Sequence, residues 1–245
     1  MKLNGRLKLI AESIPKCDMI ADIGTDHAYI PIYAVQQGIC KRALAADLRK
    51  GPIRMARANI RKNGLEDVIE TRLGDGLEPI GVDECEIVVI AGMGGPLIKK
   101  ILSDSLEKAQ KASKLLLQPN NAVDVLRRWL YQNEFEIYSE KLVEDSGKLY
   151  CLIETSWTGI QVHGDDFTYY IGERVFEGND RLLERYLEKK LNELNTMISG
   201  RARSDPDKIR RIEEETSMDT ETCISIRDRL AAYLQDSGRE KETTP

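Results

Sequence analysis

The sequence predicts an α/β protein with a doubly wound parallel sheet, an antiparallel hairpin at the end of that sheet, and a helical appendage. Strand-like and helix-like segments alternate as far as Gln132, which favours parallel β-α-β units. Two strand-like runs then follow with only turn-forming residues between them. Beyond residue 170, apolar residues recur every three or four positions, which indicates long helices.

The predicted elements follow one another in a simple order. An entry helix covers residues 1–15 and ends at Pro15. The predicted strands are 19–24, 42–48, 68–73, 85–91 and 114–118, and the predicted helices are 31–37, 52–62, 96–110 and 122–132. Strands 135–143 and 149–157 form the hairpin across the turn 144–148.

Residues 158–170 predict a boundary between a domain at 1–160 and a helical appendage at 166–236. Within the appendage, a break at 199–206 separates two apolar-periodic runs. This pattern predicts two antiparallel helices that form a short coiled-coil hairpin. We expect residues 237–245 to be a disordered tail.

Composition limits the class of protein. The 245 residues, 41% of them hydrophobic, can form one large domain with an appendage. The chain contains no apolar run of the roughly 18 residues that a membrane span requires, and its first residues are charged rather than apolar. We therefore expect a cytoplasmic protein without a membrane partner. The net charge of −5 disfavours a globally basic nucleic-acid surface but allows a local patch.

The five cysteines occur singly, and their number is odd. Without a C-x-x-C pair, this pattern predicts free buried thiols rather than disulfides or a zinc site, and we expect no metal.

The first candidate site follows the first strand, in the segment Asp22-Ile23-Gly24-Thr25-Asp26-His27. A glycine at a strand-to-helix turn lets the backbone approach a ligand, and a helix N-terminus favours an anionic group. The two aspartates suit a cationic amino group. Because a dinucleotide fingerprint has three glycines where this loop has one, an ordinary turn remains an alternative interpretation.

Acids follow the next two predicted strands as well. Asp47 can accept hydrogen bonds from the hydroxyls of a ribose, or it can cap the next helix. Asp75, in Gly74-Asp75-Gly76-Leu77, can bind an exocyclic amine, or it can belong to a simple tight turn. Because the carboxyl ends of parallel strands meet at one edge of a sheet, the three acids together predict a pocket for S-adenosylmethionine.

Two further loops lie at the same predicted edge. Ile90-Ala91-Gly92-Met93-Gly94-Gly95-Pro96 follows the fourth strand, and its glycines permit close approach of a substrate to the methyl donor. Gln118-Pro119-Asn120-Asn121 follows the fifth strand, and its amides either read a base edge or cap a helix.

Two ring side chains stand beside the first loop. His27 is one of only two histidines, and its place in a ligand loop favours a functional role over a structural one. Tyr29 either stacks on a flipped base or packs at the start of a helix.

These motifs together resemble the bacterial tRNA (adenine-22-N1)-methyltransferases, the TrmK family. The resemblance spans residues 5–155 and rests on Ala21–Pro31, Gly74–Glu78, Ile90–Gly95 and Leu117–Asn120. It implies a Rossmann-like class I methyltransferase fold, S-adenosylmethionine as donor, and tRNA as partner with N1 of adenine 22 as the target. Asp47 stands where some relatives have Glu, and either acid can hold a ribose.

The resemblance also assigns roles by position. The implied donor-binding residues are Asp22, Gly24, Asp26, Asp47, Leu48, Asp75, Gly76, Leu77, Ala91, Gly92 and Met93. The implied catalytic residues are Asp26, His27, Tyr29 and Asn120. The predicted substrate-binding residues are Met93, Gly94 and Gly95 at the site, together with Arg201 and Arg203, which are candidates because of the basic cluster at the appendage tip.

Local basic clusters are the candidate RNA surface, although a charged run can equally be a solvated face. They are Lys99-Lys100, Lys108-Lys111-Lys114, Arg127-Arg128 and the appendage tip with Arg201, Arg203, Lys208, Arg210 and Arg211. The arm could instead mediate dimerisation, so a monomer and a homodimer both remain open. Rival functions are methylation of another RNA base, a small molecule or a protein, and non-catalytic RNA binding. An NAD-dependent oxidoreductase fits less well, because the fingerprint glycines are missing.

Overall fold

A computed structural model of the protein describes residues 2–177, 181–216 and 218–242. Its strands are β1 Cys17–Ile23, β2 Cys40–Asp47, β3 Ile69–Leu73, β4 Ile87–Met93, β5 Lys114–Pro119, β6 Phe135–Asp145 and β7 Lys148–Trp157. They form one seven-stranded sheet in the order β3-β2-β1-β4-β5-β7-β6. The first five strands pair in parallel, whereas β7 runs antiparallel to both β5 and β6. This is the doubly wound sheet with an antiparallel ending that the sequence predicts.

The helices that accompany this sheet begin and end close to their predicted positions. They are α1 Gly5–Glu12, α2 Tyr29–Gln36, α3 Lys50–Lys62, α4 Gly95–Asp104, α5 Leu106–Lys111 and α6 Val123–Gln132. The single helix predicted over 96–110 is wrong in one respect. Ser105 adopts φ −136° and ψ 45°, outside the helical region, so the segment forms the two helices α4 and α5.

The hairpin turn is also shorter than predicted. β6 and β7 continue to Asp145 and from Lys148, which leaves Ser146 and Gly147 as the only turn residues. Both have positive φ, 52° and 76°, as a two-residue turn between twisted strands favours.

Strand register places the loops of the first half of the sheet side by side. In β1, Ile23 is the register partner of Ala46 in β2 and of Ile90 in β4. Asp47 in turn pairs with Leu73 at the end of β3. The four carboxyl ends are therefore level, and the loops that follow them converge on one edge. The central strands are buried over most of their length, as expected for a sheet covered on both faces.

The structure divides into two compact units, Met1–His163 and Gly164–Pro245. The domain limits expected from the sequence, 1–160 and 166–236, remain predictions beside this division. Among the described residues, no helix is both long and apolar enough to span a bilayer.

The second unit has more helices than the two predicted. It contains α7 Asp166–Ile171, a 3-10 turn at Arg174–Phe176, α8 Leu183–Arg201, α9 Pro206–Thr216 and α10 Thr220–Glu242. The second of the two predicted helices is divided into α9 and α10, and an aspartate precedes each of them. Asp205 accepts from the backbone N–H of Lys208 at 2.9 Å, and Asp219 accepts from that of Thr222 at 2.7 Å. Helices α8 and α10 pack together through buried apolar residues that include Leu187, Leu194, Cys223, Ile226 and Leu230. The coiled-coil register itself remains a prediction.

The disordered tail expected at residues 237–245 remains a prediction. Helix α10 continues to Glu242, because the charged residues after Gly238 are good helix formers that extend an existing helix. Residues 243–245 lie outside the described residues.

Candidate functional site

A cavity of about 580 Å³ lies at the carboxyl edge of the sheet. It is bordered by the loops after β1, β2, β3 and β4. Twelve residues expected at the site line it, namely Asp22, Gly24, Asp26, His27, Tyr29, Asp47, Leu48, Asp75, Gly76, Ala91, Gly92 and Met93. The fold thus brings together most of the predicted residues, while their individual roles remain predictions.

Asp22 is a buried acid of this cavity, with 7% of its surface exposed, the same fraction as for Asp47. Burial raises the pKa of its carboxyl from 3.8 to about 6, a hydrogen bond from Thr25 opposes the shift, and the nearby Asp47 adds to it. Asp22 therefore changes charge close to neutral pH, and a cationic ligand group beside it would favour the carboxylate.

The turn after β1 is held close to both neighbouring strands. The backbone N–H groups of Gly24 and Thr25 both donate to the Ala46 carbonyl, at 2.8 and 2.9 Å. Gly24 has φ +76°, and a Cβ at this position would overlap the methyl group of Met93. The positive φ is the stronger requirement for glycine here, because the flexible end of the Met93 side chain can move.

His27 and Tyr29 form a stacked pair at the mouth of the cavity. Their ring centroids are 5.0 Å apart with an interplanar angle of 12°. His27 Nε2 lies 3.3 Å from Oδ2 of the exposed Asp26, and the His27 carbonyl accepts from Asn59 Nδ2 at 3.0 Å. The pair offers one aromatic face, and a carboxylate stands next to it.

Asp47 bonds the backbone just before α3 and also faces the cavity, and its ribose role remains a prediction. Its Oδ1 accepts from the backbone N–H of Arg49 at 2.7 Å, immediately before α3, and the residue also lines the cavity. The Asp47 carbonyl accepts from the Gly74 N–H at 3.1 Å, which connects the loop after β2 with the loop that carries Asp75 and Gly76. Leu77, expected at the donor site, does not line this cavity, because its side chain turns into the protein and is 1% exposed.

The carboxyl end of β4 contributes Ala91, Gly92 and Met93 to the cavity. The pairing between β4 and β5 shifts its register between Ala91 and Met93, so the chain bulges at Gly92, where φ is +77°. Gly94 and Gly95 do not line the cavity, contrary to expectation. Gly95 instead packs against the backbone of Ala122, where no Cβ would fit.

Asn120, expected to be catalytic, stands behind this loop and not in the cavity. Its Nδ2 donates to the Gly92 carbonyl at 2.7 Å, and its backbone N–H donates to the Met93 carbonyl at 2.7 Å. Asn120 therefore holds the bulge through two hydrogen bonds, and its catalytic role remains a prediction.

A family model described as a methyltransferase domain matches residues 3–153, which is more than half of the chain. The chain belongs to this methyltransferase family.

Individual relatives show which methyltransferases the chain is similar to. The tRNA (adenine(22)-N(1))-methyltransferase of Bacillus subtilis is 41% identical over 150 residues, which are 61% of this chain and 63% of that protein. The chain thus spans just under two thirds of the length of this curated relative. The crystal structure of the B. subtilis M1A22 tRNA methyltransferase TrmK superposes with a TM-score of 0.78 at 29% identity, covering 92% of this chain and 99% of that one.

M. capricolum TrmK, solved in complex with S-adenosyl-homocysteine, gives a TM-score of 0.76 at 29% identity, with 96% and 99% of the two chains covered. The resemblance to the TrmK family and the Rossmann-like methyltransferase fold predicted from the sequence are confirmed.

Arg6 of this methyltransferase-family chain lines the cavity, and the sequence did not single it out. Its Nη1 donates to Gln118 Oε1 at 2.6 Å, and its guanidinium lies 5.3 Å from the ring centre of Tyr150. Among the described residues it forms no ion pair, so a cationic group borders the cavity next to Gly92. No sequence signal pointed to Arg6, because only the folding of α1 against the sheet brings it to this edge.

Three of the basic residues that were candidates for binding RNA instead bond to carboxylates or carbonyls of the methyltransferase unit. Arg127 is fully buried, and its Nε bonds Glu140 Oε1 at 2.6 Å. Lys114 bonds Glu154 Oε2 at 2.7 Å, and Lys108 donates to the carbonyls of Leu77 and Glu78. The expectation that these clusters form an RNA surface is wrong for Arg127, because a buried guanidinium cannot reach a phosphate.

Arg201, expected to contact RNA at the tip of the appendage, is also buried, with 3% of its surface exposed. Its Nη2 donates to the Met218 carbonyl at 2.9 Å, and its Nη1 lies 3.8 Å from Glu213 Oε1. The guanidinium thus connects α8 with the start of α10. Arg203, Lys208 and Arg210 are exposed, and the side chain of Arg211 lies outside the described part.

Proposed function

We propose that the chain transfers the methyl group of S-adenosylmethionine to N1 of adenine 22 in tRNA. The observation that carries this proposal is the convergence of Asp22, Asp47 and Asp75 on one cavity at the carboxyl edge of a methyltransferase sheet. Support for the donor and the target comes from the relatives, one named for adenine-22 N1 methylation and one solved with the product of the donor.

The lining of the cavity fits each part of this donor. Asp47 would accept from the ribose hydroxyls, and Asp75 would accept from the exocyclic amine of the adenine. Asp22 would bind the ammonium group, whose positive charge favours the ionised form of this buried acid. Arg6 would bind the carboxylate, because a guanidinium can donate two parallel hydrogen bonds to such a group.

Gly92 and Met93 would border the reacting atoms, since their loop closes the cavity on the side facing Gly24. When bound, the donor supplies an electrophilic methyl group on a positively charged sulfur. Asn120 holds the Gly92 carbonyl and so fixes the distance between this loop and the cavity.

The mouth of the cavity suits a flipped adenine. His27 and Tyr29 would hold the base by stacking, and they would align it with the donor. Adenine N1 carries a lone pair, so its methylation requires no general base. The base becomes positively charged as it is methylated, and the carboxylate of Asp26 would stabilise that charge.

The appendage would help to bind the rest of the tRNA. Its exposed residues Arg203, Lys208 and Arg210 remain candidates for phosphate contacts, and a tRNA substrate is consistent with a cytoplasmic location.

Incubation of unmodified tRNA with isotope-labelled donor, followed by nucleoside mass spectrometry, tests the proposal. We expect 1-methyladenosine in tRNA with adenine at position 22 and none in a matched tRNA with guanine there. Absence of 1-methyladenosine from both tRNAs would refute the proposal. Labelling of a protein or a small molecule without tRNA would favour the rival methyltransferase functions, and donor binding with no transfer would favour a non-catalytic module.

A further inference from the structure

The charged residues of helix α3 are all basic, in contrast to those of the rest of the chain. Its sequence, KGPIRMARANIRK, contains five basic residues and no acidic one, whereas the whole protein has a net charge of −5. Arg49, the residue before the helix, adds another positive charge. None of these residues belongs to the clusters that the sequence singled out.

Four of the basic residues form one stripe along the helix. Lys50, Arg54, Arg57 and Arg61 follow one another at steps of four, three and four, so they lie on one face over about 16 Å. All four are exposed, whereas the opposite face is buried through Ile53, Ala56 and Ile60. A straight row of cations of this length matches several successive phosphates of one nucleic-acid strand.

Neighbouring acids neutralise this stripe only in part. Arg61 lies 3.7 Å from Glu66 Oε1, and Arg57 donates to the Thr71 hydroxyl at 2.7 Å. Within the described ranges, Lys50 and Arg54 have no ion-pair partner.

Helix stability does not explain the pattern. Like charges three or four positions apart on a helix repel one another and destabilise it. Cations in the first turn also oppose the helix dipole, and the first turn of α3 contains no acid. An external polyanion would relieve both effects.

The stripe begins at the candidate site. Leu48 and Arg49 line the cavity, and Lys50 is the first residue of α3. Resting on the function proposed above, we infer that the stripe Lys50-Arg54-Arg57-Arg61 binds the phosphate backbone of the RNA whose base enters the cavity. An anionic membrane fits less well, because Met55 is the one large apolar side chain of α3 that is exposed in the described structure, and the apolar face of the helix is already buried.

The test compares two double variants that remove the same charge. Lys50→Gln/Arg54→Gln removes two cations of the stripe, and the control Lys16→Gln/Lys41→Gln removes two at the starts of β1 and β2, on the opposite edge of the sheet. Affinity for an unmodified tRNA transcript is measured from low to moderate salt, together with donor affinity by calorimetry, thermal midpoint, and kcat and KM of methylation.

We expect the stripe variant to bind tRNA about tenfold more weakly at moderate salt, and its salt dependence to fall by roughly 1.5–2 in log–log slope, because two phosphate contacts are lost. KM for tRNA rises, donor affinity is unchanged and the thermal midpoint does not fall, whereas the control matches the wild type.

Equal tRNA affinity and salt slope in the two variants would overturn the inference while leaving the proposed function intact. So would a stripe variant that loses binding only to phosphatidylglycerol vesicles. A wild-type protein that binds donor but neither binds nor methylates tRNA would instead contradict the proposed function itself.

Discussion

At the scale of single residues, three acids and one arginine line the cavity, and each is proposed to bind a different group of the donor. Asp22, Asp47 and Asp75 stand at the ends of three successive strands, and Arg6 reaches the same space from α1. Each side chain faces a different part of the proposed donor, so substitutions should separate according to the ligand group that is removed.

Asp47→Asn should weaken donor binding by about 10- to 100-fold, because hydrogen bonds to a charged group contribute about 1.5–3 kcal/mol. The amide oxygen can still accept from the Arg49 N–H, so the start of α3 is preserved. Calorimetric titration with S-adenosyl-homocysteine measures the loss, and Asp67→Asn, an exposed acid beyond α3, serves as control. Equal affinity of the two variants for S-adenosyl-homocysteine would contradict the assignment of Asp47 to the ribose hydroxyls.

Donor affinity should depend on pH through Asp22. The pKa of this buried carboxyl is about 6, so the group is charged at pH 7 and loses its charge as the pH falls below 6. Binding of an ammonium group should therefore weaken between pH 7 and pH 5. In Asp22→Asn binding should be weak throughout and nearly flat over this range, which titrations at several pH values would show. A wild-type profile as flat as that of the variant would contradict this role.

Ionisation of Asp22 should lower the free energy of unfolding as the pH rises. The folded state takes up the proton of Asp22 more readily than the unfolded state, whose pKa lies near 3.8, so ionisation between pH 3.8 and about 6 costs folding free energy. Relative to the wild type, unliganded Asp22→Asn should gain on the order of 3 kcal/mol across this range. Urea unfolding of both proteins at pH 4 and pH 7 measures the difference, and a constant difference would argue against a raised pKa.

Arg6→Gln should weaken binding of S-adenosyl-homocysteine by about tenfold or more, because a charge-assisted hydrogen bond to the carboxylate is lost. Methylthioadenosine lacks the amino-acid part of the donor, so its affinity should change little. Equal losses for both ligands would indicate a general disturbance of the cavity.

At the scale of elements, the function of the sheet edge depends on how neighbouring strand ends are connected. The loop after β1 is bonded to Ala46 in β2, the loop after β3 is bonded to Asp47, and the bulge after β4 is held by Asn120 beyond β5. These bonds cross from strand to strand, so a residue outside the cavity can control its shape.

Asn120→Ala should lower kcat by about 10- to 100-fold while donor affinity changes by less than about threefold, because a misplaced loop disturbs alignment more than binding. The neighbouring Asn121→Ala leaves the hydrogen bond to Gly92 in place and serves as control. Steady-state kinetics with tRNA and calorimetry with the donor separate the two quantities. A loss confined to donor affinity would place Asn120 in the donor site instead.

At the scale of the whole molecule, both compact units contain exposed as well as buried arginines. On α3 of the first unit, exposed arginines form a stripe, whereas in the second unit Arg201 is buried between helices. Residue type and position near a helix end did not distinguish these cases. Burial distinguishes the two kinds of arginine, because a buried guanidinium bonds carbonyls and carboxylates of its own chain.

Arg201→Gln should therefore destabilise the helical unit by about 2–3 kcal/mol, since the Met218 carbonyl loses its partner and Glu213 its counter-charge. The exposed Arg203→Gln should leave stability unchanged. Hydrogen exchange followed by mass spectrometry measures the effect, which we expect in Leu183–Arg201 and after Thr220 but not in residues 1–163. Unchanged exchange with weaker tRNA binding would restore the RNA-contact role.

The sequence by itself determined the order of strands and helices, the antiparallel ending and the acids at the strand ends. These follow from local periodicity and from the rule that parallel strands present their carboxyl ends on one edge. Asp22, Asp47 and Asp75 could be identified because each lies at or just beyond the carboxyl end of a predicted strand.

Only the tertiary structure decided which of the remaining candidates face the cavity. Leu77 follows the lining residue Gly76 but turns into the core, and Asn120 bonds the lining residue Gly92 without lining the cavity itself. Arg6 reaches the cavity, and Arg201 is removed from the surface, through packing between distant segments. Direction and burial of a side chain depend on long-range contacts, which local spacing does not encode.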